Sequence, residues 1–144
     1  MKKTKKIILI DDNKIDLFVN QKIIEIFDPS IQLKTFTKAS AAICYLKILE
    51  FNKDFKSLFI PDIIFLDINM PEMDGFQFLA ELKQLEIIKK HQIDIFMLSS
   101  SSSLEDINKA KSHQFCKNYY NKPLTNKTLQ EIFQPERGYA ISLY

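Results

Sequence analysis

Residues 62–67 read Asp-Ile-Ile-Phe-Leu-Asp, four consecutive apolar residues between two acids. A run that is apolar at every position predicts a strand whose two faces are both covered by helices, as in a parallel sheet. Residues 7–10 (Ile-Ile-Leu-Ile) form a second such run, and residues 93–98 (Ile-Asp-Ile-Phe-Met-Leu) form a third that is apolar at nearly every position. We therefore expect three central strands in one parallel sheet.

Two segments of greater polarity predict the edges of this sheet. Residues 31–36 alternate apolar and polar side chains, which is typical of a half-buried strand, and residues 118–120 predict a short fifth strand. Helical segments, identified by their spacing or by a capping residue, are predicted at residues 15–27, 39–50 and 75–85, from Ser103 onward and from Thr125 onward. In the first of them, the apolar residues predict one face of a helix: Ile15, Phe18, Val19, Ile23, Ile26 and Phe27.

The alternation of strands and helices predicts an α/β fold. With the polar strands outermost and right-handed crossovers, five strands take the doubly wound order 2-1-3-4-5 of a flavodoxin-like (βα)5 three-layer sandwich. In such sheets a functional site lies at the carboxyl ends of the strands, near the point where the winding direction reverses. We therefore expect the chemistry at the ends of the first and third strands.

Length and composition exclude several classes of protein. The 144 residues favour a single domain with its own core, and 46% hydrophobic with 26% charged residues is typical of a globular chain. A net charge of +2 does not suggest a sequence-independent nucleic-acid binder. No apolar run reaches the roughly 18 residues of a membrane span, and the stretch after the basic start of the chain is too short for a signal peptide. Cys44 and Cys116 lack metal or redox spacing, which favours reduced thiols in a cytoplasmic protein.

Polar residues follow the strands where their carboxyl ends are predicted to meet. Asp11 and Asp12 follow strand one, Asp67 ends strand three, residues 99–100 (Ser-Ser) follow strand four, and residues 122–123 (Lys-Pro) follow strand five. Carboxylates this close repel one another, so we expect a divalent cation among them, and Mg²⁺ suits hard oxygen ligands. A lysine and a hydroxyl at the same edge can bind an anion. The combination predicts a pocket that receives a phosphoryl group.

Four motifs at these strand ends are specific enough to compare with known families. They are IILIDDN at residues 7–13, IFLDINMPEMDG at 64–75, MLSS at 97–100 and YYNKPLT at 119–125. Together they resemble the receiver domain of bacterial two-component response regulators, over roughly residues 5–134. The resemblance implies a receiver domain at residues 1–134, similar to single-domain chemotaxis regulators, and a tail at residues 135–144 that is too short for an output domain.

The resemblance implies a role for each polar residue of the predicted pocket. Asp67 is expected to be the phosphoacceptor. Asp11 and Asp12 are expected to be the acidic pair that binds Mg²⁺, together with Asp67 and the backbone carbonyl of Asn69. Lys122 is expected to pair with the phosphoryl oxygens.

The resemblance also implies two positions whose side chains move when the domain is phosphorylated. Ser99 stands where the family has a hydroxyl residue, often Thr, that follows the phosphoryl group, and the run of serines leaves Ser100 as the alternative. Tyr119 stands at the aromatic switch position, whose ring turns inward or outward with that hydroxyl. The peptide bond before Pro123 is typically cis in this family.

The leading hypothesis is a stand-alone cytoplasmic receiver in phosphorelay signal transduction. It accepts a phosphoryl group from a sensor histidine kinase or a histidine phosphotransfer protein, and it signals by binding a downstream protein that the sequence does not identify. On this hypothesis the chain is a phosphoacceptor rather than an enzyme and binds neither DNA nor membranes. Homodimerisation through the predicted fourth and fifth helices stays open, and residues 51–60 and the tail have no functional interpretation.

Two other hypotheses stay open. A small Mg²⁺-dependent phosphohydrolase, similar to the haloacid dehalogenase group, would also use a strand-end Asp as its nucleophile. That group places a second Asp two residues later as general acid, where this chain has Asn69. A phosphorylation-independent interaction module would be favoured by loss of the acidic or lysine positions, and Asp11, Asp12, Asp67 and Lys122 are all present.

Overall fold

The computed structural model describes residues 5–52, 59–100 and 103–134, and within them five strands form one sheet. The strands are β1 (Lys6–Ile10), β2 (Gln32–Phe36), β3 (Ile63–Asp67), β4 (Asp94–Ser99) and β5 (Asn118–Asn121). All neighbouring strands are parallel, and their order is β2-β1-β3-β4-β5. The predicted doubly wound α/β fold is therefore confirmed.

The polarity of each strand explains its place in the sheet. Every residue of β3 is buried, and β1 and β4 are buried beyond their first residue. The outer strands β2 and β5 include exposed residues. Helices cover both faces of the central strands, so these strands are apolar. The two edge strands are partly exposed to solvent and can therefore carry polar side chains.

Six helices in the described part of the chain cover the two faces of the sheet. They are α1 (Lys14–Phe27), α2 (Ala39–Phe51), α3 (Gly75–Leu82), α4 (Ile87–Lys90), α5 (Leu104–Ser112) and α6 (Asn126–Phe133). On one face, Leu17 and Ile24 of α1 and Leu129 of α6 share an apolar cluster with the strands. The other four helices contribute to a second cluster on the opposite face. These two clusters complete the predicted three-layer sandwich.

Side-chain caps determine where several helices begin. The hydroxyls of Ser103 and Thr125 cap α5 and α6, as predicted, and each accepts a hydrogen bond from the backbone N–H three residues later. The side-chain oxygen of Asn13 caps α1 and accepts hydrogen bonds from two backbone N–H groups of its first turn. The first turn of α1 is thereby fixed close to the carboxyl end of β1.

The apolar face predicted for α1 is confirmed only at Ile23 and Phe27, which pack against the apolar cluster on this side of the sheet. Four of its six residues are exposed: Ile15, Phe18, Val19 and Ile26. The buried residues of this helix are Leu17, Asn20 and Ile24. Asn20 hides the inward face in the sequence because it is polar, and it is tolerated there because its Oδ1 accepts a hydrogen bond from the backbone N–H of Leu124 at 2.9 Å.

The helix predicted over residues 75–85 ends earlier, at Leu82, and a separate one-turn helix, α4, follows it. The sequence does not predict α4 because four residues are too few to show a period. Its start is fixed from another helix, since Glu50 of α2 accepts hydrogen bonds from the backbone N–H groups of Glu86 and Ile87 at 3.1 and 2.8 Å. A long-range carboxylate cap therefore determines where α4 begins.

Two predicted segments lie partly or wholly outside the described residues. They are residues 53–58 of the connection at 51–60, and the whole tail at residues 135–144. Cys44 is exposed and Cys116 is buried, and both are free thiols. Within the described ranges, no helix combines the length and the apolar character needed to cross a membrane.

Gly75 lets the start of α3 pack directly against the end of β3. Its backbone N–H donates to the carbonyl of Ile68 at 2.8 Å. A Cβ atom added at residue 75 would lie 2.7 Å from Cε of Met97 and 2.8 Å from the carbonyl oxygen of Asp67. This close approach of two backbone segments therefore requires glycine.

Gly75→Ala is expected to destabilise the protein by about 1 to 3 kcal/mol, the usual cost of an added group in a closely packed region, because backbone atoms would have to move. Urea unfolding followed by circular dichroism measures this change. Ala80→Ser adds one heavy atom on the exposed side of the same helix, and this control should stay within about 0.5 kcal/mol. An unchanged unfolding midpoint for Gly75→Ala would contradict the close-packing argument.

Candidate functional site

Three carboxylates meet at the carboxyl edge of the sheet. Asp11 and Asp12 follow β1, and Asp67 is the last residue of β3, the strand beside β1. One carboxylate oxygen from each residue lies within 4.8 Å of those of the other two. Asp11 and Asp67 are buried whereas Asp12 is exposed, so the cluster is open to solvent on the Asp12 side.

The Lys122 ammonium group is the cation of this pocket. Its Nζ lies 2.8 Å from Oδ2 of Asp11, 2.9 Å from Oδ2 of Asp16 and 3.4 Å from Oδ1 of Asp67. The Lys122 side chain is only 8% exposed, and its backbone N–H donates to the carbonyl of Ser99 at 3.0 Å. The lysine is therefore held from both ends, through its backbone at β4 and through its ammonium group among the carboxylates.

Burial and charge set the protonation of the two central groups. Burial, and then the negative charge of Asp11, raise the pKa of Asp67 to about 7, although Lys122 opposes the rise. Burial alone would lower the pKa of Lys122, but hydrogen bonds to Asp11 and Asp16 outweigh it, and the pKa is raised. Lys122 is therefore charged at physiological pH, whereas Asp67 exchanges its proton near neutral pH unless more positive charge enters the pocket.

A series of polar contacts leads from the end of β3 to β5. Asn69 is exposed, and its backbone N–H donates to Oδ1 of Asp67 at 3.4 Å. Its side-chain amide donates to Oγ of Ser99, also at 3.4 Å. Burial raises the pKa of Tyr119, and a hydrogen bond between the Tyr119 and Ser99 side chains opposes that rise. The acid cluster is thus connected through Ser99 to the buried ring of Tyr119.

Burial distinguishes the two serines at the end of β4. Ser99 is the last residue of the strand and is fully buried, whereas Ser100 is exposed. It is the Ser99 hydroxyl that contacts both Asn69 and Tyr119. Of the two candidates, Ser99 is therefore the one that is buried between Asn69 and Tyr119.

Two residues of this region, Asp16 and Asn20, are not predicted from the sequence. Asp16 lies in the first turn of α1 and pairs with Lys122. Asn20, one turn later, is buried and accepts the backbone N–H of Leu124, next to the Lys122–Pro123 peptide bond, which is cis as the resemblance implies. Polar residues four positions apart lie on one side of a helix. The spacing of Asp16 and Asn20, soon after the acid pair, was therefore the signal in the sequence that both side chains face the site.

The donor set fits a hard divalent cation such as Mg²⁺. Asp11, Asp12 and Asp67 offer carboxylate oxygens, which Mg²⁺ prefers, and the exposed side leaves access for water. Burial, and then the negative charge of Asp11, raise the pKa of Asp67, and a cation beside the carboxylate would oppose both effects. Together with Lys122, this arrangement can neutralise a phosphoryl group placed beside a carboxylate nucleophile.

Comparison with known proteins relates the chain to response regulators. Two-component response regulator ORR22 of Oryza sativa is 31% identical over 129 residues, which cover 90% of this chain, and the chain spans only 16% of that relative's length. Response regulator Rcp1 of Synechocystis is 27% identical over 135 residues, covering 93% of this chain and 85% of Rcp1.

Solved structures and a family model agree with this relationship. The crystal structure of a two component response regulator from Cytophaga hutchinsonii has a TM-score of 0.79 and 30% sequence identity, covering 93% of this chain and 97% of that one. The family model for the response regulator receiver domain matches residues 7–134, which include Asp11, Asp67 and Lys122. The chain therefore belongs to the family of response regulator receiver domains.

Proposed function

We propose that this receiver domain accepts a phosphoryl group on Asp67 from a histidine kinase or a histidine phosphotransfer protein, and that it signals by binding another protein when phosphorylated. The observation that carries the proposal is the Lys122 ammonium group, 3.4 Å from the buried carboxylate of Asp67 and beside two further acids. Receiver domains of two-component systems are generally phosphorylated by a histidine kinase, which supports the choice of donor.

Asp67 is the nucleophile in this proposal. One of its carboxylate oxygens bonds to phosphorus while the P–N bond of a phosphohistidine breaks, and the electron pair stays on the imidazole nitrogen, which takes a proton from water. Asp11, Asp12, Asp67 and the backbone carbonyl of Asn69 would hold Mg²⁺, which when bound offsets negative charge on the transferred oxygens. Lys122 pairs with a phosphoryl oxygen and so stabilises the acyl phosphate.

The contact between Ser99 and Tyr119 is the proposed route from the acid cluster to the surface. A phosphoryl group adds nearly two negative charges and new acceptors, so the Ser99 hydroxyl is drawn toward it and away from Tyr119. Tyr119 lines a cleft of about 570 Å³ that α5, β5 and α6 border. A new position of the Tyr119 ring changes the shape of this cleft and so shifts the affinity for a downstream protein.

Asp67→Asn is expected to abolish phosphoryl labelling, because the amide is not a nucleophile for phosphorus. The unaltered chain, incubated with acetyl phosphate or phosphoramidate and Mg²⁺, should gain one phosphoryl group in its intact mass, and omission of Mg²⁺ should reduce the gain. Asp94→Asn is the matched control, since it changes an acid at the end of β4 that is far from Ser99 and the site. It should gain the same phosphoryl mass as the unaltered chain.

The other outcomes of this labelling experiment would favour a different acceptor or one of the two alternative functions. Undiminished labelling of Asp67→Asn would place the acceptor elsewhere. No labelling of the unaltered chain under any condition would favour the phosphorylation-independent interaction module. Repeated release of phosphate from small phosphate esters would instead favour the phosphohydrolase.

Lys122→Ala should keep part of the labelling but lose the response at β5, because the nucleophile remains and the cation that pairs with the phosphoryl oxygens is gone. NMR shifts of the Tyr119 and Tyr120 amides, before and after addition of Mg²⁺ and the phosphoryl mimic beryllofluoride, measure this response. Lys117→Ala removes an exposed ion pair with Asp94 and should respond like the unaltered domain. Shifts of normal size in Lys122→Ala would contradict the assigned role.

In metal-free protein, Asp67 is expected to make stability fall as the pH rises from about 4 to about 7. A carboxyl group whose pKa is higher in the folded chain binds more protons when folded, so its contribution is present at low pH and is lost as the pH passes the folded pKa. Asp67→Asn should therefore stabilise the protein more at pH 8 than at pH 5, by upward of about 1 kcal/mol. Urea unfolding in the presence of EDTA measures the difference.

Added Mg²⁺ is the control for this pH experiment. It should stabilise the unaltered domain at pH 8, where Asp67 is ionised, and should have a smaller effect on Asp67→Asn. An equal gain from Asp67→Asn at both pH values would show that another group takes up the proton.

A further inference from the structure

The Lys122 ammonium group already has three carboxylate partners. Its Nζ lies 2.8 Å from Asp11, 2.9 Å from Asp16 and 3.4 Å from Asp67. An ammonium group has three N–H donors: two of them hydrogen-bond to Asp11 and Asp16, and Asp67 lies beyond them at ion-pair distance. A phosphoryl group on Asp67 takes over the contact of Asp67 with Lys122, and its oxygens then compete with Asp11 and Asp16 for the remaining donors.

The three partners differ in their access to water. The side chains of Asp11 and Asp67 are each 5% exposed, whereas that of Asp16 is 39% exposed. A carboxylate released from an ammonium group needs new hydrogen bonds, and water supplies them where the group is exposed. Asp11 also accepts the backbone N–H of Asn13 at 2.9 Å and belongs to the acid cluster. Asp16 is therefore the partner whose release costs least.

The backbone of Asp16 belongs to the first turn of α1, which has contacts of its own besides the ion pair. The backbone N–H of Asp16 donates to Oδ1 of Asn13 at 3.1 Å. An acid in the first turn also interacts favourably with the helix dipole. The contact with Lys122 is thus not required for the start of α1, and its effect lies in the pocket.

We propose that Asp16 is the counter-ion that the phosphoryl group displaces from Lys122, and that Asp16 thereby weakens the hold of the domain on that group. The inference rests on the proposed function, because it concerns the ammonium group assigned to the phosphoryl oxygens. Asp16 is a positioning residue, since it acts through Lys122 and does not touch the reacting atoms. Its charge favours the unphosphorylated state.

Binding of beryllofluoride in the presence of Mg²⁺ tests this inference by isothermal titration calorimetry. Asp16→Asn keeps the shape of the side chain and removes its charge. It should bind beryllofluoride about three- to tenfold more tightly than the unaltered domain, because no half-exposed ion pair has to break first. Asp16→Glu keeps the carboxylate and should return the affinity to within about twofold of the unaltered domain.

A double-mutant comparison shows whether the effect passes through Lys122. In a Lys122→Met background, Asp16→Asn should leave the affinity for beryllofluoride unchanged. Glu72→Gln neutralises an acid that lines the neighbouring cleft together with Asp12. This variant is the control for a general change of charge, and its affinity should change by less than about twofold.

Binding by Asp16→Asn that is equal to or weaker than normal would overturn the inference, as would the same tightening in Glu72→Gln or in the Lys122→Met background. If the unaltered domain and Asp16→Asn bind beryllofluoride equally, the role of Asp16 fails and the proposed function stands. If neither binds it with Mg²⁺, the proposed function fails, and the inference with it.

Thermal unfolding without beryllofluoride shows whether each variant is folded. Asp16→Ser supplies a second uncharged side chain if Asp16→Asn is unstable.

Discussion

The contact of one ammonium group with three carboxylates is the interaction on which the rest of the site depends. Lys122 lies 111 positions after Asp11 and 106 after Asp16 in the sequence, and its charge joins the segment after β5 to the end of β1 and the first turn of α1. Buried carboxylates without a cation carry a large desolvation and repulsion cost. Apolar packing thus determines the strand order, whereas the charge of Lys122 holds the acidic side chains together at the carboxyl edge of the sheet.

The central strands and the place of the site could be predicted because both follow from simple rules. A strand buried on both faces is visible as consecutive apolar residues, and right-handed crossovers then limit the strand order. Parallel strands end at one edge, so Asp11, Asp67 and Lys122 were expected to lie close together, and their proximity is confirmed. Ser99 and Ser100 are equivalent in the sequence, and only the structure shows that Ser99 is buried whereas Ser100 is exposed.

The features that the sequence did not reveal depend on single side chains that act over long sequence distances. They are the cap that Glu50 provides for α4, the hydrogen bond from Leu124 to Asn20, and the ion pair of Asp16 with Lys122. Such contacts have no period along the chain. On α1 the buried polar residue Asn20 interrupts the apolar period, so four exposed side chains were assigned to the inward face along with two that do pack there.

The place of Lys122 after β5, the strand of the sheet that comes latest in the sequence, also bears on how the domain is synthesised. A ribosome releases β1, α1 and β3 well before residue 122 leaves the exit tunnel. During that interval the carboxylates of Asp11, Asp16 and Asp67 lack this ammonium partner, so enclosing them in a dry pocket is unfavourable. The nascent chain therefore keeps this edge of the sheet hydrated until β5 and Lys122 emerge, and the charge of Lys122 then allows the site to close.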